Sequence, residues 1–309
     1  MRNAFVNALT EVALKDPRVM LLTGDLGYNA LEPFFKVLPE RFLNMGVAEQ
    51  HMMAFAAGLA LSGKIPVVYS IATFATLRAY EQIRNDICYQ NLNVKIVGAG
   101  AGLTYSQYGA THHAMEDIGI MRVLPRMTII APGDPLEVDG AVRAMLAHDG
   151  PCYLRIGSRG EPNVHAEPFK FRIGKGFVLR EGSSEVALIA TGNMLETANK
   201  AVELLAARGI SARLISMPTV KPIDEAILLD TAAKFRYVFT IEEHGVIGGL
   251  GSAVAEFLAE RGTPARLTRI AATDAFQPVG GCLAYVRGLN GLTPEHIAER
   301  VEKEVRRKK

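Results

Sequence analysis

Asn44-Met45-Gly46-Val47-Ala48-Glu49-Gln50-His51 lies between an extended run, Arg41 to Leu43, and a helix of small apolar residues, Met52 to Leu61. Glu49 is the one carboxylate of the stretch, set in or near the first turn of that helix among Val47, Ala48, Met52, Met53 and Phe55. Apolar surroundings favour the neutral form of a carboxyl, which can then share its proton with a ligand nitrogen. An acidic residue in a first turn also complements the helix macrodipole with no ligand involved. On the stretch alone the macrodipole reading is the simpler of the two.

Outward from this stretch, strands alternate with helices. Ala4, Phe5, Ala8, Leu9, Val12 and Ala13 recur at helical spacing, and Asp16-Pro17 ends that helix. Val19 to Leu22, Pro66 to Tyr69, Val94 to Val97 and Met127 to Ile130 are short apolar runs, expected as strands buried on both faces. Asp134 as cap, Pro135 at the first helical position and Glu137 three residues on start a helix reaching about His148. Composition shifts at Ser158 to Asn163, and the run to Arg172 has little periodicity, which places a linker there. A second alternation follows, with strands expected at Val186 to Ala190, Ala212 to Ser216, Tyr237 to Ile241 and Arg266 to Ile270, and a last helix from Thr293-Pro294. The expected fold is α/β in two domains, 1–160 and 173–309, joined by a linker at 161–172. Each domain is a mostly parallel sheet with helices on both faces.

Composition sets matching bounds. A chain of 309 residues with 49% hydrophobic residues is long enough for two buried cores. Lys and Arg total 34 against 32 Asp and Glu, so the net charge of +2 provides no electrostatic reason to propose nucleic acid or membrane as partner. Cys88, Cys152 and Cys282 are far apart and lack metal-ligand spacing, which argues against a disulfide framework and a zinc site. With an amphipathic N-terminal helix in place of a signal sequence and no uncharged run of membrane-spanning length, the chain is expected in the reducing cytoplasm. Gly98 to Gly102 and Gly245 to Gly251 do not match G-x-G-x-x-G with a helix directly behind it, so a Rossmann cofactor site is not expected.

Several strings carry a resemblance. GVAEQH is followed by Tyr69-Ser70-Ile71-Ala72-Thr73-Phe74, Arg78 to Asp86, Leu92 to Val97, Gly109 to Asp117, Leu124 to Thr128 and Ala131 to Asp134. In this order and spacing they resemble the pyrimidine-binding domain of thiamine-diphosphate enzymes, above all transketolases and 1-deoxyxylulose-5-phosphate synthases. Glu242-Glu243-His244 and Gly248 to Ser252 resemble the C-terminal domain of the same enzymes, whose part in the family is mainly structural.

The resemblance implies thiamine diphosphate as cofactor, with Glu49 as the acid/base at ring nitrogen N1′, Phe74 stacked on the pyrimidine, and Asp25 and Leu26 in the family's pyrimidine-domain turn. His112, from Thr-His, is placed beside the reacting carbons, whereas His113 has no such match and is assigned to packing or surface. Arg159 falls where transketolases put an arginine on the acceptor phosphate, although an arginine pairing at a domain boundary explains it nearly as well. The Gly-Asp-Gly motif that holds a divalent metal on the diphosphate is absent. The chain is therefore expected to act as the C-terminal subunit of a split transketolase, moving a two-carbon ketol unit between sugars. The partner would be an N-terminal subunit that carries Gly-Asp-Gly and the Mg2+ or Ca2+, in an α2β2 tetramer. The alternatives are a β subunit of a 2-oxoacid dehydrogenase, an enzyme of the deoxyxylulose-phosphate-synthase type, and a non-catalytic homologue.

Two departures bear on substrate. Tyr108 stands where transketolases carry an acidic residue that bonds a sugar hydroxyl, and a gap-free match puts Gly100 where they carry a phosphate-binding histidine. The segment between Phe74 and Arg78 is also shorter than in many transketolases. A modified or nucleotide-linked sugar is the resulting expectation, contacted by His112, Tyr108 and Arg159.

Overall fold

The computed structural model describes residues 1–158, 160–183, 185–278 and 280–307. The apolar runs become β1 (Val19–Thr23), β2 (Phe42–Asn44), β3 (Ile65–Ile71), β4 (Lys95–Ala99), β5 (Thr128–Ile130) and β6 (Cys152–Ile156). The second half supplies β7 (Phe177–Arg180), β8 (Val186–Ala190), β9 (Arg213–Ser216), β10 (Thr219–Lys221), β11 (Tyr237–Gly245) and β12 (Arg266–Ala272). The first sheet has the order β10-β5-β6-β4-β3-β1-β2 and the second β12-β11-β8-β9-β7. Among the pairs within them, only β10 with β5 and β7 with β9 are antiparallel.

Side chains alternate across a strand, so a run buried on both faces must meet helices on both. Leu21, Val67 and Leu154 pack with Phe5, Leu9 and Val138, beneath the helices Arg2–Lys15 and Pro135–Ala147. Leu22, Val68 and Ile96 point the other way, onto Met52, Met53 and Ala56 of the helix Glu49–Leu61. The second sheet does the same, with Leu188, Leu214 and Ile241 on one side and Ile189, Ile215 and Val238 on the other.

Register decides where the loops go. Thr23 at the end of β1 pairs with Asn44 at the end of β2 and with Tyr69 of β3, while Ile71 pairs with Ala99 and Ala99 with Ile156. The carboxyl ends of β1 and β2 are level with each other, those of β3, β4 and β6 lie together two residues further on, and the loops beginning at Gly24, Met45, Ala72, Gly100 and Gly157 leave from one edge. Open α/β sheets bind ligands at that edge.

The short strands escape a reading by periodicity. β10 is only three residues long, belongs by sequence to the second half, and adds itself to the edge of the first sheet beside β5. β6 is fully buried yet carries Tyr153 and Arg155, polar interruptions of an apolar run that are satisfied only by distant partners. No helix among the described residues is long and apolar enough to cross a membrane.

Arg155 joins the two halves. Its Nε donates to Asp117 Oδ2 at 2.7 Å, and its Nη2 donates to the carbonyls of Ala114 and Glu243, each at 2.8 Å. The Tyr153 hydroxyl donates to the same Asp117 oxygen at 2.7 Å, and burial pushes that phenol's pKa well up, with the Asp117 carboxylate adding to the shift. Arg155 and Asp117 side chains are both 1% exposed. Removing one partner of such a pair leaves an uncompensated buried charge. Arg155→Met is expected to destabilise the chain by about 3 kcal/mol or more, measured by denaturant unfolding; a change within about 0.5 kcal/mol, the range of an ordinary surface substitution, would contradict the role given to this pair.

Candidate active site

Glu49 is the first residue of its helix and is buried, 3% exposed. Its surroundings are not the wholly apolar ones expected from sequence. Ser70, on β3, donates its hydroxyl to Oε1 at 3.2 Å, and Arg78 Nη1 lies 3.2 Å from Oε2. Gly24, following β1, closes the floor, since a Cβ there would sit 3.5 Å from Oε1. One carboxylate oxygen is thereby fixed by a hydroxyl, and the other meets the Arg78 guanidinium.

Arg78 links Glu49 to Phe74. The chain turns out of β3 into a π-helical segment, Phe74–Arg78, a local widening found often at functional sites. The turn brings Arg78 over the residue four before it, with its guanidinium carbon 3.9 Å from the centre of the Phe74 ring. The edge of Phe74 meets the His112 ring, with centroids 5.1 Å apart. Tyr108 lies 5.1 Å from His112 on centroids and is 56% exposed, and Tyr105 stands perpendicular to the same imidazole. Thr111 Oγ1 and His112 Nδ1 are 2.9 Å apart, and Thr73 Oγ1 donates to the Thr111 carbonyl at 3.4 Å, tying this loop to the Phe74 segment.

The loop from Gly100 to Ala114 is set by groups from both domains. Gly102 has φ +58° and no room for a side chain, because the Glu243 side chain and backbone fill the place of a Cβ. Glu243 Oε2 accepts the Leu103 N–H at 3.0 Å and the Asn193 side-chain amide at 2.7 Å, while Arg287 Nε donates to Oε1 at 2.5 Å. Gly100 has φ +80°, and a Cβ there would collide with the Tyr105 ring. Glycine at 100 and tyrosine at 105 are thus one packing solution.

Of the residues that the sequence singles out, Glu49, Phe74, His112 and Tyr108 form a chain of contacts at the carboxyl edge of the first sheet, with Arg78 meeting Glu49 and Phe74, and His112 meeting Phe74 and Tyr108. Asp25 and Leu26 lie at the same edge, where Asp25 Oδ1 accepts from Asn44 Nδ2 at 2.9 Å and the Tyr28 hydroxyl at 2.8 Å, and the Leu26 carbonyl accepts from Thr23 Oγ1 at 2.8 Å. These bonds brace the first loop against the one that leads to Glu49. Arg159 lies outside the described residues. His113 is buried, and among the described residues neither of its ring nitrogens has a hydrogen-bond partner. Ser70, Arg78 and Glu243 are functional neighbours that sequence reasoning misses. Arg78 carries one usable signal, its spacing of four from an aromatic assigned to the site.

Comparison with known proteins agrees with this geometry. Residues 1–160 match the model of the transketolase pyrimidine binding domain, and residues 174–297 that of the transketolase C-terminal domain. The chain belongs to the transketolase family. It is 40% identical, over 100% of its length and 95% of the relative's, to the 6-deoxy-6-sulfo-D-fructose transketolase subunit SqwH of Clostridium sp. (strain MSTE9). It is 36% identical, over 87% of its length and 86% of the relative's, to an apulose-4-phosphate transketolase subunit of Actinobacillus succinogenes (strain ATCC 55618 / DSM 22257 / CCUG 43843 / 130Z). Against the 1-deoxy-D-xylulose-5-phosphate synthase of Symbiobacterium thermophilum (strain DSM 24528 / JCM 14929 / IAM 14863 / T) it is 38% identical over 96% of its own length but 46% of that enzyme's. The solved structure of a split-gene transketolase, an inactive beta4 tetramer, superposes with a TM-score of 0.90 at 41% identity, covering 98% of this chain and 97% of that one. Relatives named as transketolase subunits are thus matched nearly end to end, and the family's cofactor is thiamine diphosphate.

Desolvation, the neighbouring His113 and the positive charge of Arg78 all hold the His112 imidazole below its ordinary pKa. This environment favours the neutral imidazole, which can accept a proton at one nitrogen and donate at the other. A proton NMR titration is expected to place its midpoint below the ordinary histidine value of about 6.5; a midpoint above that value would contradict this environment.

Proposed function

We propose that this transketolase subunit contributes the pyrimidine half of the cofactor site and part of the sugar site, and turns over only when paired with a subunit that carries the diphosphate-binding domain and its Mg2+ or Ca2+. The observation that carries the proposal is a buried carboxylate and an aromatic ring that share one guanidinium, with a histidine at the ring's edge. A planar cation already lies between Glu49 and Phe74, so a planar heterocycle fits the same space.

Thiamine diphosphate, when bound, supplies a stabilised carbanion at a thiazolium carbon. In this reading Glu49 holds the proton at N1′ of the pyrimidine, with Ser70 steadying the carboxylate oxygen that does not face the ring. Phe74 fixes the ring plane, and Asp25 and Leu26 shape the rim. His112 is placed to exchange a proton with a substrate hydroxyl, and Tyr108 offers one neutral hydrogen bond beside it. Support for a separate partner comes from relatives named as subunits, which this chain matches nearly end to end. An α2β2 assembly follows the two-fold closure common to such oligomers. Three thiols free of disulfides accord with a cytoplasmic location.

The polar contacts of the cleft suit a sugar other than the usual pentose phosphates. Tyr108 brings no charge, and Tyr105 fills the space a histidine at position 100 would need. A relative named for a sulfonated sugar points the same way. A modified or nucleotide-linked sugar is accordingly the proposed substrate class, with Arg159 as a further anion contact.

Three measurements test this reading. Calorimetry is expected to show weak thiamine diphosphate binding by the chain alone and magnesium-dependent binding once the partner is added; tight binding by the chain alone would overturn the split site. In the assembled pair Glu49→Gln should slow hydrogen-deuterium exchange at the cofactor C2 by about 10²–10⁴-fold, and near-normal exchange would show that another carboxylate serves. Specificity constants across a sugar panel should favour a modified or nucleotide-linked sugar over xylulose 5-phosphate, and ordinary efficiency with pentose phosphates would refute the substrate class.

A further inference from the structure

Two arginines in this chain meet carboxylates in opposite ways. Arg155 is wholly buried and spreads its donors over three acceptors. Arg78 keeps a side chain that is 48% exposed and makes one single-pronged contact, at 3.2 Å, with a carboxylate that is 3% exposed. Its guanidinium carbon lies over Phe74, 3.9 Å from the ring centre. The first arrangement builds structure, whereas the second is weakly held and half in solvent.

The two groups that hold Arg78 are the two assigned above to the pyrimidine. A guanidinium is planar and cationic and presents N–H donors to a carboxylate, as does an aminopyrimidine protonated at its ring nitrogen. Glu49 Oε2 and this face of Phe74 have room for one such group at a time. We propose that Arg78 is the chain's own placeholder in the pyrimidine seat, and that cofactor entry requires its guanidinium to swing out. The inference rests on the reading of Glu49 and Phe74 given above. Its advantage to the free subunit is physical, since an unpaired carboxylate this deeply buried is costly, and Arg78 supplies the counter-charge until a cofactor does.

The consequence is a competition between a side chain and the cofactor. Affinity measured from outside is the affinity of the open seat reduced by the fraction of time the seat is open. If Arg78 closes it for most of that time, Arg78→Met should tighten thiamine diphosphate binding by about 3- to 10-fold. Arg78→Lys, which keeps the charge but not the flat face, should fall between Met and wild type.

The experiment is calorimetric titration of thiamine diphosphate with Mg2+ into the complex of the full chain and its partner subunit, for wild type, Arg78→Met, Arg78→Lys, Glu49→Gln and Phe74→Ala. Ethylguanidinium is added as a small competitor to the Arg78→Met complex, where it should weaken cofactor binding by entering the vacated seat. Tighter binding in Arg78→Met, reversed by ethylguanidinium, supports the placeholder. Unchanged or weaker binding in both Arg78 variants, with Glu49→Gln and Phe74→Ala still weakening it, overturns the placeholder and leaves the seat intact. Wild-type affinity in Glu49→Gln and Phe74→Ala overturns the seat itself. Should Arg78→Met fail to assemble, Arg78→Lys at or below wild-type affinity counts against the placeholder, and tighter binding counts for it.

Discussion

Everything at the active edge depends on parallel strands ending on one side of the sheet. In a parallel ladder each strand must return to the same end before pairing again, so the connections after the strands all emerge on one side. Here the register of β1 with β2 and β3, and of β4 with β3 and β6, brings β1 and β2 to end level with each other and β3, β4 and β6 to end together two residues further on. Gly24, Glu49, Ser70, Phe74 and the Gly100 loop meet for that reason, although 76 positions separate the first from the last. A slip of one residue would also turn each buried run to the opposite face, so two hydrophobic cores enforce the same register that builds the site.

The second domain serves the first through backbone. Glu243 reaches from β11 to the N–H of Leu103, and its own side chain is held by Asn193 and Arg287. Arg155 returns the contact by donating to the Glu243 carbonyl. The neighbouring Glu242 accepts the N–H groups of Leu250 and Gly251, both at 2.7 Å, at the start of the helix Leu250–Glu260, where helix dipole and free N–H groups favour a negative charge. His244 Nε2 accepts the Gly119 N–H at 3.2 Å. The second domain thus fixes the loop that carries Tyr108 and His112, and a disturbance at Glu243 would reach that loop through the backbone of Leu103.

Burial sorts the charges of this chain into two kinds. Lys95, with its ammonium fully enclosed, donates to the carbonyls of His148 and Gly150 at 2.8 and 2.7 Å, and desolvation lowers its pKa. Glu137 is enclosed likewise by Gly133 N–H, Ser216 and His165. Such groups have their hydrogen-bonding capacity met within the fold, which is the condition on which a charge is tolerated inside. Glu49 is held differently, since one of its oxygens accepts from Ser70 and the other meets an arginine whose side chain is half in solvent.

Two α/β layers, most strand positions and the family are legible in the sequence, because apolar runs of strand length, helix caps such as Asp134-Pro135 and the GVAEQH string are local signals. Glu49, Phe74, His112 and Tyr108 can be singled out in the sequence as well, and the fold links them in series through Arg78 and ring contacts. What stands around them is a matter of tertiary contact. The apolar neighbours of Glu49 in sequence are Met52 and Met53, but its carboxylate partners come from positions 70 and 78, on the next strand and the turn beyond it. Tyr105 and Gly100 read as separate features until the loop folds one over the other. β10 could be assigned to no sheet in advance, since three residues carry too little pattern and its partner β5 lies about ninety positions upstream. In each case the deciding contact joins residues distant in sequence, and no periodicity or spacing records which distant backbone a side chain will meet.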